Sequence, residues 1–245
     1  MTQTRKRADI LLVERGLFES RARAQDAIAH GLVTADGKVV TKSSEVVADG
    51  AVIEAAPAHP WVSRGGIKLD HALTHLGWDV TGAVAIDVGS STGGFTDVLL
   101  SRGAARVYAV DSGTNQLAWK LRQDERVIVH EQTSARILTD DHVPEPVDLI
   151  VCDASFIALA KVLPVPLAFA KRGARLVALI KPQFEAERHE VGKKGVVRDA
   201  AVHARVCGDV RLWLEAEGWT VLDLIESPIT GPEGNVEFLI AAQKR

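Results

Sequence analysis

From residue 83 onward the chain alternates short apolar runs with stretches of helical pattern, and this rhythm constrains the fold more than any other feature. The runs are AVAIDVG, RVYAV, VIVHE, VDLIVCD, ARLVALIK, TVLDLIE and EFLIA, seven between residues 83 and 241. They are apolar along their length rather than at every second residue. Strands of that kind are buried on both faces, as in a parallel sheet held between helical layers. The predicted body is therefore an α/β, doubly wound, Rossmann-like sheet of seven strands. Ligands in such folds sit outside the carboxyl ends of the strands, so the residues closing each run are the ones to read for chemistry.

The first run closes in Asp87-Val88-Gly89-Ser90-Ser91-Thr92-Gly93-Gly94-Phe95. A phosphate-binding loop is excluded, because Phe95 stands where that motif needs lysine, and Ser91 replaces the second glycine of the dinucleotide fingerprint. What remains is a strand, an acid and a glycine turn that opens a helix. That turn resembles the motif by which methyltransferases bind S-adenosylmethionine. The resemblance implies a cofactor site at Asp87, Gly89, Ser90, Ser91, Thr92, Gly93, Gly94 and Phe95. Asp111, at the end of the second run, is placed for ribose hydroxyls. Ser134 stands near the expected adenine pocket, where some relatives carry asparagine.

The acceptor chemistry is read from the fourth run. Amine methyltransferases often close it with Asn/Asp-Pro-Pro-Tyr/Phe, whereas this chain has Asp153-Ala154-Ser155-Phe156, without prolines. Cytosine-carbon chemistry needs a cysteine after proline. Cys152 precedes Asp153 inside an apolar run and reads as a small buried hydrophobe. Four charged residues remain. Lys68 lies in SRGGIKLD before the first run, Asp153 and Lys181 close the fourth and fifth, and Glu237 opens the last. Adjacent fourth and fifth strands would make Asp153 and Lys181 face one another. Lys68, Asp153, Lys181 and Glu237, in this order at these strand ends, resemble the catalytic tetrad of FtsJ-like RNA 2′-O-methyltransferases. The resemblance implies that Lys181 removes the proton of a ribose hydroxyl, a poor nucleophile without a base. Lys181 serves only when neutral, a state that burial and the like charge of Lys68 favour and that Asp153 and Glu237 oppose.

The head of the chain differs in character. Residues 1–42 carry 8 basic and 5 acidic side chains, although the whole chain has net charge −3. ADILLVERG reads as a short helix closed by Gly16, and Ser20 caps a second helix that ends at Gly31. Strands near Leu32–Thr34 and Lys38–Val40 flank an Asp36-Gly37 turn. This order resembles the RNA-binding fold named after ribosomal small-subunit protein four, a small α+β domain. Residues 1–56 are assigned to it, 57–64 to a proline-bearing linker and 65–245 to the methyltransferase body. Expected RNA contacts are Arg5, Lys6, Arg7, Arg21, Arg23, Lys42 and Arg64, with Lys193 and Lys194 from the loop Glu185–Arg198.

Together with WVSRGGIKL, KPQFE and GNVEF, these features make the chain resemble the TlyA family across residues 7–242. Members are often labelled haemolysins. The resemblance implies S-adenosylmethionine-dependent 2′-O-methylation of a cytidine in ribosomal RNA, small-subunit RNA first and large-subunit RNA also in view. Ribosomal RNA or a ribosomal subunit is then the partner. The competing readings are a catalytically silent RNA-binding assembly factor and a membrane-active protein. Two isolated cysteines and the lack of a signal-peptide pattern lead us to expect a cytoplasmic location. The apolar stretch Val162 to Ala170 is only nine residues long, too short to span a bilayer. No metal is expected, since His71 and His75, four apart on a predicted helix, have no third ligand nearby in sequence.

Overall fold

The computed structural model describes residues 4–245. The chain divides into two compact units, Met1–Pro60 and Trp61–Arg245.

In the first unit β1 (Arg5–Arg7) leads directly into α1 (Ala8–Glu14), followed by α2 (Arg21–Ala29), β2 (Val33–Ala35), β3 (Lys38–Val39), β4 (Val46–Ala48) and β5 (Ile53–Ala55). The Ser20 hydroxyl caps α2 by accepting the Arg23 amide. β2 pairs with β3 and β5, and β1 pairs with β4, all antiparallel. Leu11, Leu12, Phe18, Ala24, Ile28, Val33 and Val47 form the core. Asp9 is fully buried beneath this surface, where its carboxylate accepts from Arg7, Arg21 and Gln25. The Arg7 guanidinium chiefly, and then Arg21 and Gln25, hold that carboxyl well below the usual carboxylate range against the opposing effect of burial.

The second unit contains α3 (Gly65–Leu76), β6 (Val84–Val88), α4 (Gly94–Ser101), β7 (Arg106–Val110), α5 (Trp119–Arg122), β8 (Val127–His130), β9 (Val147–Cys152), α6 (Leu159–Val162), α7 (Pro164–Ala168), β10 (Ala170–Ile180), α8 (Pro182–Glu185), α9 (Ala200–Ala216), β11 (Trp219–Glu226) and β12 (Phe238–Lys244). Its seven strands form one sheet in the order β11-β12-β10-β9-β6-β7-β8. β8, β7, β6, β9 and β10 run parallel, and β12 inserts antiparallel between β10 and β11. This is the expected doubly wound sheet with one reversed strand. Residues 61–64, counted with the linker from sequence, lie in this unit. Trp61 and Val62 pack on its core, and the Val62 amide donates to Asp97.

Alternation along the strands sorts the apolar runs onto two faces. Ile86, Val88, Ile150, Cys152, Ala178 and Ile180 meet residues of α6, α7 and α9. Ala85, Leu149, Val151, Val177, Leu179 and Leu239 meet Leu69 and Leu73 of α3 and Val98 and Leu99 of α4. The odd-numbered positions of these strands thus look toward α3 and α4, a parity that decides where the charged residues at their ends point. α3 and α4 approach so closely at their starts that a Cβ on Gly94 would lie 2.3 Å from the Ser63 hydroxyl and 2.8 Å from the Gly66 amide nitrogen. Only glycine permits that crossing, which seats the first turn of α3, and Lys68 within it, against the sheet.

Candidate active site

Asp153, Lys181 and Glu237 are all odd-numbered and lie just beyond β9, just beyond β10 and just before β12. The register pairs Ile180 with Phe238, so the end of β10 and the start of β12 are neighbours. Lys68 comes down from α3 onto the same face. Lys181 Nζ lies 2.6 Å from Asp153 Oδ1, and Lys68 Nζ lies 2.6 Å from Glu237 Oε2 and 3.9 Å from Asp153 Oδ2. Asp153 therefore bridges the two lysines. Lys68, Lys181 and Glu237 are buried, Glu237 with 1% of its surface exposed, whereas Asp153 keeps partial access to solvent. Lys181 also donates to the Asp153 carbonyl at 3.2 Å and to Ser155 Oγ at 2.8 Å. Buried charges persist when paired and hydrogen-bonded in this manner. The four residues selected from sequence form one connected cluster.

Beside the cluster, across the carboxyl ends of β6, β7 and β9, lies a cavity of about 490 Å³ whose lining includes Gly89, Ser91, Asp111, Ser134, Asp153, Ser155 and Phe156. Gly89 sits at φ 79°, where a Cβ would come within 2.9 Å of Ala154 Cα, so the turn after β6 can approach the loop after β9 only as glycine. The Asp111 carboxylate is fixed by the amides of Ser91 (2.8 Å) and Gly113 (2.7 Å), one on each oxygen. Each oxygen retains a lone pair that can accept from a ribose diol. A larger groove of about 770 Å³, between α9 and β11, contains none of the four charged residues.

The residues expected from sequence to hold the cofactor divide by position. Gly89, Ser91 and Asp111 line the cavity, whereas Asp87, Ser90, Thr92, Gly93, Gly94 and Phe95 do not. Asp87 is fully buried, and strand parity turns it toward α4, where its Oδ2 accepts from the Thr96 amide (3.0 Å) and hydroxyl (2.7 Å). Phe95 belongs to the apolar core. Asp87 thus ties α4 to the sheet through Thr96. Burial, with further repulsion from Asp153 and Asp111, pushes its carboxyl up to about 7 despite the Thr96 hydrogen bonds. The unfolded chain ionises this group near its ordinary 3.8, so between pH 4 and 7 the native state binds the extra proton and stability falls as pH rises. Asp87→Asn, which retains an acceptor for Thr96, is expected to flatten that decline, as read by urea unfolding at a series of pH values. An unchanged slope would show that Asp87 is not its source.

Cys152 is buried, and desolvation pushes its thiol up to about 12, consistent with the structural role expected from sequence. His75 Nε2 lies 3.0 Å from Asp223 Oδ2, and no metal-holding group of residues occurs among those described. Ser155 and Phe156 are pocket residues that the sequence reading did not select. The aromatic closing Asp153-Ala154-Ser155-Phe156 was the available signal. Phe156 is 89% exposed, sits at φ 65° and leans on Phe184 with ring centroids 5.0 Å apart. A left-handed backbone at a bulky residue costs on the order of 1–3 kcal/mol, a strain concentrated at functional sites.

Of the basic residues proposed for RNA contact, several are also tied within their own unit. Lys6 pairs with Glu14, Arg7 and Arg21 with Asp9, Arg5 donates to the Val46 carbonyl and Arg23 to that of His59. Arg64 donates to the Thr230 carbonyl, and Lys194 lies 4.0 Å from Glu233. Arg5, Arg7, Arg21, Lys42, Arg64, Lys193 and Lys194 are exposed.

The profile of the FtsJ-like methyltransferase family matches residues 61–244, and that of the S4 domain matches residues 6–53. The Mycobacterium tuberculosis protein named 16S/23S rRNA (cytidine-2'-O)-methyltransferase TlyA is 45% identical over 96% of this chain and 89% of its own length. The chain belongs to the TlyA branch of the FtsJ-like methyltransferase family. A protein named Hemolysin A from Brachyspira hyodysenteriae is 38% identical over 95% of this chain and 98% of its own length. A solved structure described as a hemolysin from Streptococcus thermophilus superposes with a TM-score of 0.78 at 41% identity, covering 99% of this chain and 90% of that one. Among the described residues no helix is long and apolar enough to cross a membrane.

Proposed function

We propose that this protein methylates the 2′-hydroxyl of a cytidine in ribosomal RNA, using S-adenosylmethionine, with small-subunit RNA as the principal substrate. The observation that carries this reading is the convergence of Lys68, Asp153, Lys181 and Glu237 at the mouth of a cavity whose acid, Asp111, suits a ribose. When bound, the cofactor supplies a methyl group on a sulfonium that leaves as a neutral thioether, so a positioned hydroxyl and a proton acceptor suffice. Gly89, Ser91 and Asp111 would hold it. Lys181 takes the hydroxyl proton, Asp153 orients Lys181, and the Lys68–Glu237 pair fixes Asp153 from the opposite side. With Lys181 neutral and ready to take a proton, the cluster carries one positive and two negative charges, so it offers the substrate phosphates no net attraction.

Affinity for RNA is then supplied elsewhere, by the S4 domain with Arg5, Lys6, Arg7, Arg21, Arg23 and Lys42, and by Arg64, Lys193 and Lys194. Such a substrate places the reaction in the cytoplasm. Mapping ribose methylation in ribosomal RNA from cells with and without the protein tests the reading. A single cytidine that loses its 2′-O-methyl group in the absence of the protein is the expected result, and unchanged methylation at every ribose would overturn it. Phe156 is placed to receive the flipped base. Base–aromatic stacking contributes about 1–3 kcal/mol, so Phe156→Ala is expected to weaken productive RNA engagement about 10- to 100-fold in kcat/KM, a larger loss than any in cofactor affinity. Unaltered kcat/KM would remove Phe156 from substrate recognition.

A further inference from the structure

The proton path follows from counting donors around Lys181, and it rests on the methyl-transfer reading above. As an ammonium, Lys181 Nζ has three protons and three acceptors within reach: Asp153 Oδ1 at 2.6 Å, the Asp153 carbonyl at 3.2 Å and Ser155 Oγ at 2.8 Å. A lysine satisfied in this way has no lone pair to offer a substrate. Once neutral, it has two protons and one lone pair. The carboxylate and the carbonyl only accept, so they keep the two remaining N–H groups. Ser155 is the one neighbour of the three that can also donate, and its hydroxyl must turn its proton toward the nitrogen lone pair. The Ser155 oxygen then points its own lone pairs elsewhere, and Ser155 is both exposed and part of the cavity wall. Lys181 is buried and does not line that cavity, whereas Ser155 does.

We infer that the Ser155 hydroxyl is a catalytic residue that passes the proton of the attacking ribose hydroxyl to Lys181. In the step, the ribose O–H bond breaks and its proton moves to Ser155 Oγ, while the original Oγ proton moves to the Lys181 lone pair. The ribose oxygen uses its freed electron pair to bond the methyl carbon of the sulfonium donor, and the carbon–sulfur pair remains on sulfur as a thioether. One positive charge leaves sulfur and one appears on Lys181, where Asp153 already stands. Ser155 starts the step donating to a neutral amine and ends it as a neutral hydroxyl accepting from an ammonium, the arrangement seen in the structure.

The test compares the parent chain with Ser155→Ala and Ser155→Thr on unmodified small ribosomal subunits. Single-turnover methyl transfer is followed across pH and in mixtures of light and heavy water, and S-adenosylhomocysteine affinity is measured by calorimetry. Ser155→Ala is expected to slow transfer about 100-fold, with Ser155→Thr recovering all but about tenfold. Because Ser155 also lines the cofactor cavity, cofactor-product affinity is read alongside and should change far less than the rate. The rate of the parent should fall along a curve as deuterium fraction rises, because two protons move together, and that of Ser155→Ala along a straight line. A straight line for the parent, an alanine variant as fast as the parent, or a variant that loses cofactor-product affinity in proportion to its rate would overturn the relay. A parent protein that transfers no methyl group would instead overturn the function on which the relay rests.

Discussion

Lys181→Ala is expected to lower single-turnover methyl transfer by about 10³-fold or more, while S-adenosylhomocysteine still binds within about threefold of the parent affinity. Lys181 is absent from the cavity wall, which explains the second half of that expectation. Its side chain instead engages Asp153 and Ser155, which do line that cavity, so it meets the cofactor only through them. Lys181→Arg should not restore activity, because a guanidinium stays protonated and cannot take a proton from a hydroxyl. Removing Lys181 leaves Asp153 with solvent access and with Lys68 3.9 Å away, so folding should be nearly unaffected. Transfer at the parent rate in Lys181→Ala would remove this residue from the chemistry altogether.

Glu237→Ala should damage stability and activity together. The carboxylate is 1% exposed and holds Lys68 Nζ at 2.6 Å. Without it, a buried ammonium retains only the more distant Asp153. Deleting one member of a buried ion pair costs about 3–5 kcal/mol, which in a chain of this size lowers the melting temperature by roughly 6–15 °C. Glu237→Gln preserves the volume and an acceptor for Lys68, and it should recover much of that loss. It would not recover the rate, because the charge balance that sets the two lysines is altered. Thermal unfolding and single-turnover assays on the same two variants separate these effects. A Glu237→Ala protein as stable as the parent would show that Lys68 is not held by this pair.

The body of the fold was readable in the sequence because parallel strands buried on both faces leave continuous apolar runs, and all seven runs became strands of one sheet. The clustering of Lys68, Asp153, Lys181 and Glu237 was legible in part: residues closing such runs gather at one edge. Their common face is a matter of parity, which the same numbering contained. Parity also explains the position of Asp87. A motif identifies the turn, but the single-residue alternation of β6 directs that carboxylate beneath α4. In the head, the two helices and the hairpin turn were visible from a cap and an Asp-Gly pair. β1, β4 and β5 were not, because their partners are remote in sequence: β1 finds β4 across 41 positions, and β5 pairs back to β2 across 20. Phe156 was hidden for another reason. Its exposure depends on a left-handed backbone conformation that a phenylalanine code does not announce.

The reversed strand has a consequence for biosynthesis. β12 hydrogen-bonds to β10 on one side and β11 on the other, and the acid that neutralises Lys68 stands immediately before it. A nascent polypeptide still tethered before this segment emerges has neither a sealed sheet nor a complete proton-handling cluster. Competence therefore arrives in one stroke once Glu237 and β12 have joined the sheet, and a product truncated before Glu237 lacks the chemistry.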